Sequence, residues 1–143
     1  MDAGESAREL VRVGLVSSTN PEKNTVRVVF EDKENLVSSD LRILHLGGAG
    51  NKFFWMPDVN DEVVCLFPTN DENYTDGFVI GCLFNEKQKP NAKSQDVTRI
   101  DFKDGTSLEY DRKSHAMKIN CKGSLEITCA KNITLKGETI NLN

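Results

Sequence analysis

The C-terminal third of the sequence carries a short repeat of apolar residues. Each unit consists of two apolar residues separated by one other residue, and the second members of successive units advance by 8, 9, 8, 8 and 7 residues. Polar and turn-forming residues fill the intervals. This alternation predicts short strands that turn their apolar side chains to one face. The six units are Ile100/Phe102, Leu108/Tyr110, Met117/Ile119, Leu125/Ile127, Ile133/Leu135 and Ile140/Leu142.

The repeat has too few apolar residues to form a core within one chain. Burying one such side chain stabilises by about 1.5 to 3 kcal/mol, whereas ordering each residue costs about 1.5 kcal/mol. A single row of strands also leaves its edges unpaired. We therefore expect three copies to intertwine around a threefold axis, with the twelve apolar residues of the six units forming the trimer core. A β-solenoid formed by one chain is the alternative, although solenoid repeats are generally longer than these units.

Charge and composition divide the chain into two modules. Residues 1–90 contain 9 Lys and Arg against 15 Asp and Glu, a net charge of −6, whereas residues 91–143 contain 9 against 7, a net charge of +2. Residues 85–96 contain no hydrophobic residue larger than alanine, which is typical of a linker. The predicted boundaries are a first domain at residues 1–86, a linker at residues 87–98 and a repeat domain at residues 99–143.

The first domain has the sequence pattern of a small barrel or sandwich. Several apolar runs alternate with polar residues, and turn-forming residues at 19–24 and 69–76 separate them. Ser6 and Glu9 have the spacing of a capping box, which predicts a short helical turn before the first strand. The predicted strands are residues 11–15, 26–30, 41–46, 62–67 and 78–84.

Two segments of the first domain invite a functional interpretation. Gly47 to Gly50 lacks the Gly-Lys-Ser/Thr ending of a phosphate loop, so we interpret it as a plain connection. We interpret Phe53, Phe54 and Trp55 as core or subunit contact, with a surface for stacking a ligand as the alternative. The acidic charge of this domain disfavours nucleic acid, because contacts to phosphate supply most non-specific affinity.

No set of residues indicates catalysis or metal binding, and we expect no catalytic residue, cofactor or metal ion. The four cysteines lack C-x-x-C spacing and lie in apolar or alternating stretches, which predicts small buried hydrophobes. We interpret His115 as a histidine in a turn. It lies two residues before Met117 and would face the same way, so an ion site on the threefold axis is the alternative. The sequence has neither a long apolar run nor a signal segment, so we expect a chain made in the cytosol.

Several stretches of the first domain resemble one known family. Residues 13–16, 24–32, 46–51, 54–63 and 77–81 are similar to the phage baseplate assembly protein V family, the central tail spike of contractile phages and phage-tail-like particles. The resemblance covers nearly the whole first domain. Its most specific residues are Trp55, Pro57, Val63, Phe67, Pro68, Gly77, Phe78 and Gly81.

The resemblance implies an all-β fold with a mechanical function. An N-terminal OB-type five-stranded barrel is expected to precede an intertwined trimeric triple-stranded β-helix. The homotrimer would be a structural protein and not an enzyme. It would dock on a baseplate hub protein of a phage tail or tail-like bacteriocin, and it would pierce the target cell envelope when the sheath contracts. Assembly of the particle is expected in the bacterial cytoplasm.

The sequence departs from the resembling family near its C-terminal end. Related spikes often carry a metal-holding His-x-His motif at the tip, which is absent before Asn143. We therefore expect a small capping protein to cover Ile140 and Leu142. The alternative function is an OB-fold module that binds nucleic acid or glycan and carries a trimerising tail. We expect no nucleic-acid partner, because the first domain is acidic.

Overall fold

The computed structural model describes residues 10–68 and 74–143. The chain divides into two compact units, Met1–Pro90 and Asn91–Asn143. The described residues form nine strands and one short 3-10 turn, so the protein is all-β as predicted. The predicted capping-box turn at Ser6 and Glu9 lies outside the described residues, as do residues 69–73 of the predicted turn at 69–76.

Six strands belong to the first unit. Alternating β-branched and polar residues form β1 and β2, and the turn between them is closed by the Asn24 amide, which donates to the Pro21 carbonyl at 3.2 Å. Asn24 adopts a φ of 55°, a left-handed conformation that asparagine tolerates. The strands are β1 (Val11–Asn20), β2 (Thr25–Phe30), β3 (Leu36–Val37), β4 (Leu41–Ile43), β5 (Glu62–Leu66) and β6 (Phe78–Leu83).

The first unit is a closed five-stranded barrel. Its strands follow the order β1-β5-β6-β4-β2, and the pairing of β1 with β2 closes the sheet. β4 and β6 run parallel, whereas the other neighbours run antiparallel. β3 is a two-residue addition beside β2 that the sequence pattern did not predict. The predicted third strand is also too long, because the chain leaves the sheet after the Leu44 amide bonds to the Val79 carbonyl at 2.8 Å.

An aromatic cluster fills the barrel interior. The ring centroid of Phe30 lies 5.9 Å from that of Phe67 and 4.9 Å from that of Tyr74. The Arg12 guanidinium lies 6.0 Å from the Phe30 and Tyr74 centroids and is also paired with Asp32. Burial of each large apolar side chain stabilises the barrel by about 1.5 to 3 kcal/mol. The buried core consists of Val16, Val26, Val28, Phe30, Leu41, Ile43, Val63, Cys65, Phe67, Tyr74 and Val79.

The second unit begins with an antiparallel sheet of three strands, β7 (Val97–Asp101), β8 (Ser107–Asp111) and β9 (Ala116–Asn120). β7 begins two residues inside the segment predicted as a linker. Asp96 explains the early start, because its carbonyl accepts the Arg112 amide at 3.0 Å and its carboxylate accepts Arg112 Nε at 2.7 Å. The start of the same segment is tied to the barrel, since Gln88 Nε2 donates to the Asn60 carbonyl at 3.1 Å.

Residues 121–143 form no strand within the chain. Among the described residues, no backbone-to-backbone hydrogen bond involves this segment. Its local structure repeats: Cys121 Sγ lies 3.4 Å from the Ser124 carbonyl, and eight residues later Cys129 Sγ lies 3.6 Å from the Asn132 carbonyl. All residues from 122 to 143 are exposed. The repeat of the sequence is therefore also a repeat of local structure.

Candidate functional site

The sheet of the second unit presents its apolar side chains on one exposed face. Ile100 lies opposite Leu108, which lies opposite Ile119, and Tyr110 lies opposite Met117. Directly opposed residues point to the same side of a sheet, so these five side chains share a face. Their exposed fractions range from 39% for Leu108 to 73% for Met117, and Phe102, just after β7, is 53% exposed.

The opposite face of this sheet is polar and less exposed. Ser107 is only 7% exposed. Arg99 donates from Nε to Asp101 at 2.9 Å and from Nη1 to Glu109 at 2.8 Å, and its side chain is 25% exposed. Hydrogen bonds to Glu109 and then to Asp101 raise the pKa of Arg99. An isolated sheet would normally bury its apolar face and expose its polar face. This sheet does the opposite, because its apolar face is open to water.

The remaining predicted core residues are exposed as well. Leu125 and Ile127 are 63% and 69% exposed, and Leu142 reaches 88%. Ile133, Leu135 and Ile140 are also exposed. All twelve residues predicted to form a trimer core therefore lie on the surface of the single chain. Their contact with other copies stays a prediction.

Two aspartates fix the hairpin turns of the sheet. Asp104 accepts the Thr106 amide at 2.9 Å beside Gly105, whose φ is 94°. Asp111 accepts the Lys113 amide at 2.9 Å. These backbone hydrogen bonds lower the pKa of Asp104 and of Asp111. The turn bonds are therefore stronger when both aspartates are ionised.

The residues that carry the family resemblance are divided between the barrel interior and its wall. Val63, Phe67 and Pro57 are buried, Trp55, Gly77, Phe78 and Gly81 are half-buried, and Pro68 is exposed. A Cβ on Gly77 would overlap the Phe67 ring, whereas a Cβ on Gly81 would have no heavy atom within 4 Å. Steric constraint therefore explains the glycine at 77 and not the glycine at 81.

The aromatic trio does not belong to the core as a whole. Phe53 and Phe54 are 64% and 68% exposed, so the core interpretation is wrong for these two residues, and a subunit contact stays a prediction. Trp55 is half-buried and packs against the core. The difference arises from a tight turn at Gly47, which has a φ of 84° and projects the segment before Trp55 into solvent.

The turn at Gly47 is a connection, as its sequence predicted. The Gly48 amide donates to the Asn51 carbonyl at 3.0 Å, and the Phe53 amide donates to the Leu46 carbonyl at 3.1 Å. Sequence reasoning missed Leu44 and Leu46, which are 57% and 70% exposed and join the two phenylalanines on this projection. The glycine-rich turn between two pairs of apolar residues was the available signal.

Of the four cysteines predicted to be buried, only Cys65 is buried in the single chain; the prediction is wrong for Cys82, and for Cys121 and Cys129, which face the predicted trimer core, it stays a prediction. Burial raises the pKa of the Cys65 thiol to about 12. Cys82 and Cys129 are exposed and Cys121 is half-buried. Cys82 lies one residue before the end of β6, and the other two lie in the segment 121–143, where every described residue after Cys121 is exposed. Partial burial and the charge of Asp61 nevertheless raise the pKa of Cys82 to about 11.

The described part of the chain presents no group of three His, Cys, Asp or Glu side chains arranged to hold a metal ion. His115 is exposed in the turn between β8 and β9, with a φ of 58°. In residues 10–68 and 74–143, no helix has the length and apolar character needed to cross a membrane.

A protein-family model matches the barrel region of the chain. The family model described as the type VI secretion system/phage-baseplate injector OB domain matches residues 12–84. This range contains nearly all of the five barrel strands and confirms both the family resemblance and the OB-type barrel. No curated protein matches the chain. The match spans half of the sequence and coincides with a closed five-stranded barrel, so the chain belongs to the type VI secretion system/phage-baseplate injector OB-domain family.

Proposed function

We propose that this protein is the trimeric central spike of a contractile injection particle, such as a phage tail or a tail-like bacteriocin. In this proposal it docks on the baseplate hub protein and pierces the target cell envelope. Membership of the injector family supports a structural role in the particle. The observation that supports the trimer is the exposure of all twelve apolar repeat residues, which the described part of the chain leaves uncovered.

The backbone of residues 121–143 supports the same conclusion. Its amide and carbonyl groups have no backbone partners among the described residues, although the Cys121 and Cys129 contacts repeat along the segment. Ordering a residue costs about 1 to 2 kcal/mol of backbone conformational entropy, which an unpaired strand does not recover. Neighbouring copies would supply both the missing hydrogen bonds and the cover for the apolar side chains.

Two modes of association are expected along the second unit. In the second unit's sheet, the central strand β8 pairs with β7 and β9 of its own chain. Three copies would therefore meet there through the exposed apolar face. In residues 121–143 the copies would pair through the backbone and form the intertwined β-helix. Six repeat units at about 5 Å each would extend about 30 Å. Such a structure would unfold slowly, which suits a piercing element.

The proposal assigns no chemistry to the protein. The energy for penetration would come from the sheath, and no catalytic residue, cofactor or metal is proposed. A small protein that caps Ile140 and Leu142 is also proposed; their exposure of 52% and 88% is equally expected of trimer-core residues in a single chain. Assembly would take place in the bacterial cytoplasm before the particle contacts its target.

Light scattering of the full chain tests the proposal. A mass close to three times 16.0 kDa is expected under native conditions. Electron micrographs of the purified protein should give class averages with threefold symmetry. A chain that remains monomeric at micromolar concentration would contradict the proposed trimer.

The alternative is a barrel that binds nucleic acid or glycan, with the second unit as a trimerising tail. The exposure of Phe53 and Phe54 favours it, because bases and sugars stack on exposed aromatic rings. The net charge of −6 on residues 1–90 argues against nucleic acid. Salt-sensitive binding of single-stranded DNA in a gel-shift assay would support this alternative. Absence of binding would favour the spike proposal over a nucleic-acid module.

A further inference from the structure

The polar segment that follows the barrel is anchored on the barrel through the side chain of Asn85. Asn85 lies two residues after the end of β6, and its Nδ2 donates to Glu62 Oε2, at the start of β5, at 2.9 Å. Its Oδ1 accepts the Lys87 amide at 3.0 Å and the Gln88 amide at 2.8 Å. One side chain therefore folds the segment into a turn and also ties that turn to the sheet.

The backbone and Gln88 close the same turn. The Asn85 amide donates to the Gln88 carbonyl at 3.1 Å, and Gln88 Nε2 donates to the Asn60 carbonyl at 3.1 Å. The Asn60 amide in turn donates to the carbonyl of Val16, a core residue of β1, at 2.8 Å. Asn85 and Gln88 are half-buried, whereas the two residues between them are exposed. We call residues 85–88 the clamp, and it is held at two separate points of the barrel.

The far end of the polar segment is fixed within the second unit. The Val97 amide donates to the Ser94 carbonyl at 3.2 Å, and the Asp96 amide donates to Ser94 Oγ at 3.1 Å. The Asp96 carbonyl and carboxylate both accept from Arg112, as described above. Ordered structure in the second unit therefore begins at Ser94, three residues before β7.

Residues 89–93, between these two ends, are held far less. In the described part of the chain, no hydrogen bond involves them. Lys89 forms an ion pair with Glu86 at 3.7 Å, with side chains 69% and 98% exposed, and exposed pairs of this kind contribute little stability. We call residues 89–93 the free segment. It is five residues long, although the polar stretch of the sequence runs from 85 to 96.

We propose that Asn85 acts as a latch that sets the length of the free segment. Five residues span at most about 18 Å, whereas the nine residues that an open clamp would release span at most about 32 Å. A carboxamide suits this position, because it accepts from two amides and donates to a carboxylate at the same time. In the proposed spike, a short free segment would pass the push of the barrel to the second unit with little slack. That role rests on the proposed function, whereas the clamp itself does not.

Trypsin digestion of the full-length chain tests the clamp, because the chain has one cleavage site inside it and another beyond it. Trypsin cleaves after Lys87, in the clamp, and after Lys93, in the free segment, but not after Lys89, because Pro90 follows. A synthetic peptide of residues 82–97 corrects for the intrinsic preference of trypsin between the two sites. Cleavage follows the population of the locally open chain, so Lys87 should be cleaved about tenfold more slowly than Lys93.

Three variants separate the bonds of the clamp. Asn85→Ala removes all three side-chain bonds and should raise cleavage at Lys87 about tenfold without changing cleavage at Lys93. Asn91→Ala makes the same substitution in the free segment and should change neither rate. Asn85→Asp keeps the acceptor but sets two carboxylates against each other, so it should also open the clamp. Adding Glu62→Gln to Asn85→Asp restores a donor facing an acceptor and should return cleavage at Lys87 to within about threefold of the wild-type rate.

Each outcome bears on the clamp directly. Faster cleavage at Lys87 alone in Asn85→Ala supports it. Equal corrected rates at Lys87 and Lys93 in the wild type overturn it. Acceleration at both sites, or at neither, in Asn85→Ala also overturns it, because Asn85 would then not act locally or not act at all. Light scattering of the same samples tests the trimer separately, so either proposal can fail while the other stands.

Discussion

The backbone of Gly77 lies directly against the ring of Phe67. A Cβ on Gly77 would lie 2.6 Å from Phe67 Cε1 and 2.7 Å from the Leu66 carbonyl oxygen. Phe67 is 1% exposed and is held by Phe30 and Tyr74, so its ring has no free space into which to move. Glycine is required at this position by close packing between the start of β6 and the end of β5.

Substitution of this glycine is expected to destabilise the barrel. Gly77→Ala should lower the free energy of unfolding by about 1 to 3 kcal/mol, which is typical of an overpacked core. Gly81→Ala, within β6 and four residues later, is the matched control, because nothing lies within 4 Å of its Cβ position. Chemical denaturation followed by Trp55 fluorescence measures both. Equal losses in the two variants would contradict the steric explanation.

The sequence predicted the barrel strands well because their alternation follows the side-chain period of a strand. It missed β3, which at two residues is too short to show a pattern. It also left core and subunit contact undivided for Phe53 and Phe54, because hydrophobicity alone does not reveal a projecting turn. Their exposure depends on the left-handed φ at Gly47 and on the hydrogen bonds that follow it.

In the second unit, alternation correctly indicated a shared face for Ile100, Leu108 and Ile119. The same pattern places Cys129 with the inward residues of the predicted trimer, and like them this side chain is exposed in the single chain. Period and parity define which side chains share a face. They do not define what covers that face, because the covering surface is not encoded next to it in the chain.

Ile127 and Lys131 provide a direct test of the trimer core. Ile127→Asp would place three carboxylates around the threefold axis without partners, at a cost of several kcal/mol. Lys131→Glu alters a residue in the polar interval between two apolar pairs and should be tolerated. The single chain exposes both positions, so their difference depends on association. Light scattering should show loss of the trimer only for Ile127→Asp, and identical masses would contradict the assigned parity.

Arg99 is expected to stabilise the second unit more than Arg112 does. Arg99 bonds to both Asp101 and Glu109 and is 25% exposed, whereas Arg112 bonds to the Asp96 side chain and is 61% exposed. Less solvent reaches Arg99, so its ion pairs are screened less. Arg99→Ala should therefore lower the midpoint of thermal unfolding more than Arg112→Ala, and added salt should reduce the effect of Arg99→Ala by a smaller fraction than that of Arg112→Ala. A larger effect of Arg112→Ala would reverse the proposed order.

The hairpin turns predict a loss of stability in acid. Asp104 and Asp111 have pKa values below their ordinary value of 3.8 in the folded chain, mainly because backbone amides of Thr106 and Lys113 donate to them. Each lowered pKa adds stability that is present above 3.8 and is lost as pH falls through the lower folded value. The double variant Asp104→Asn, Asp111→Asn cannot titrate at these positions. Its midpoint of thermal unfolding should therefore fall less steeply than that of the wild type as pH drops below 3.8, and an identical acid slope would mean that these turn bonds do not depend on charge.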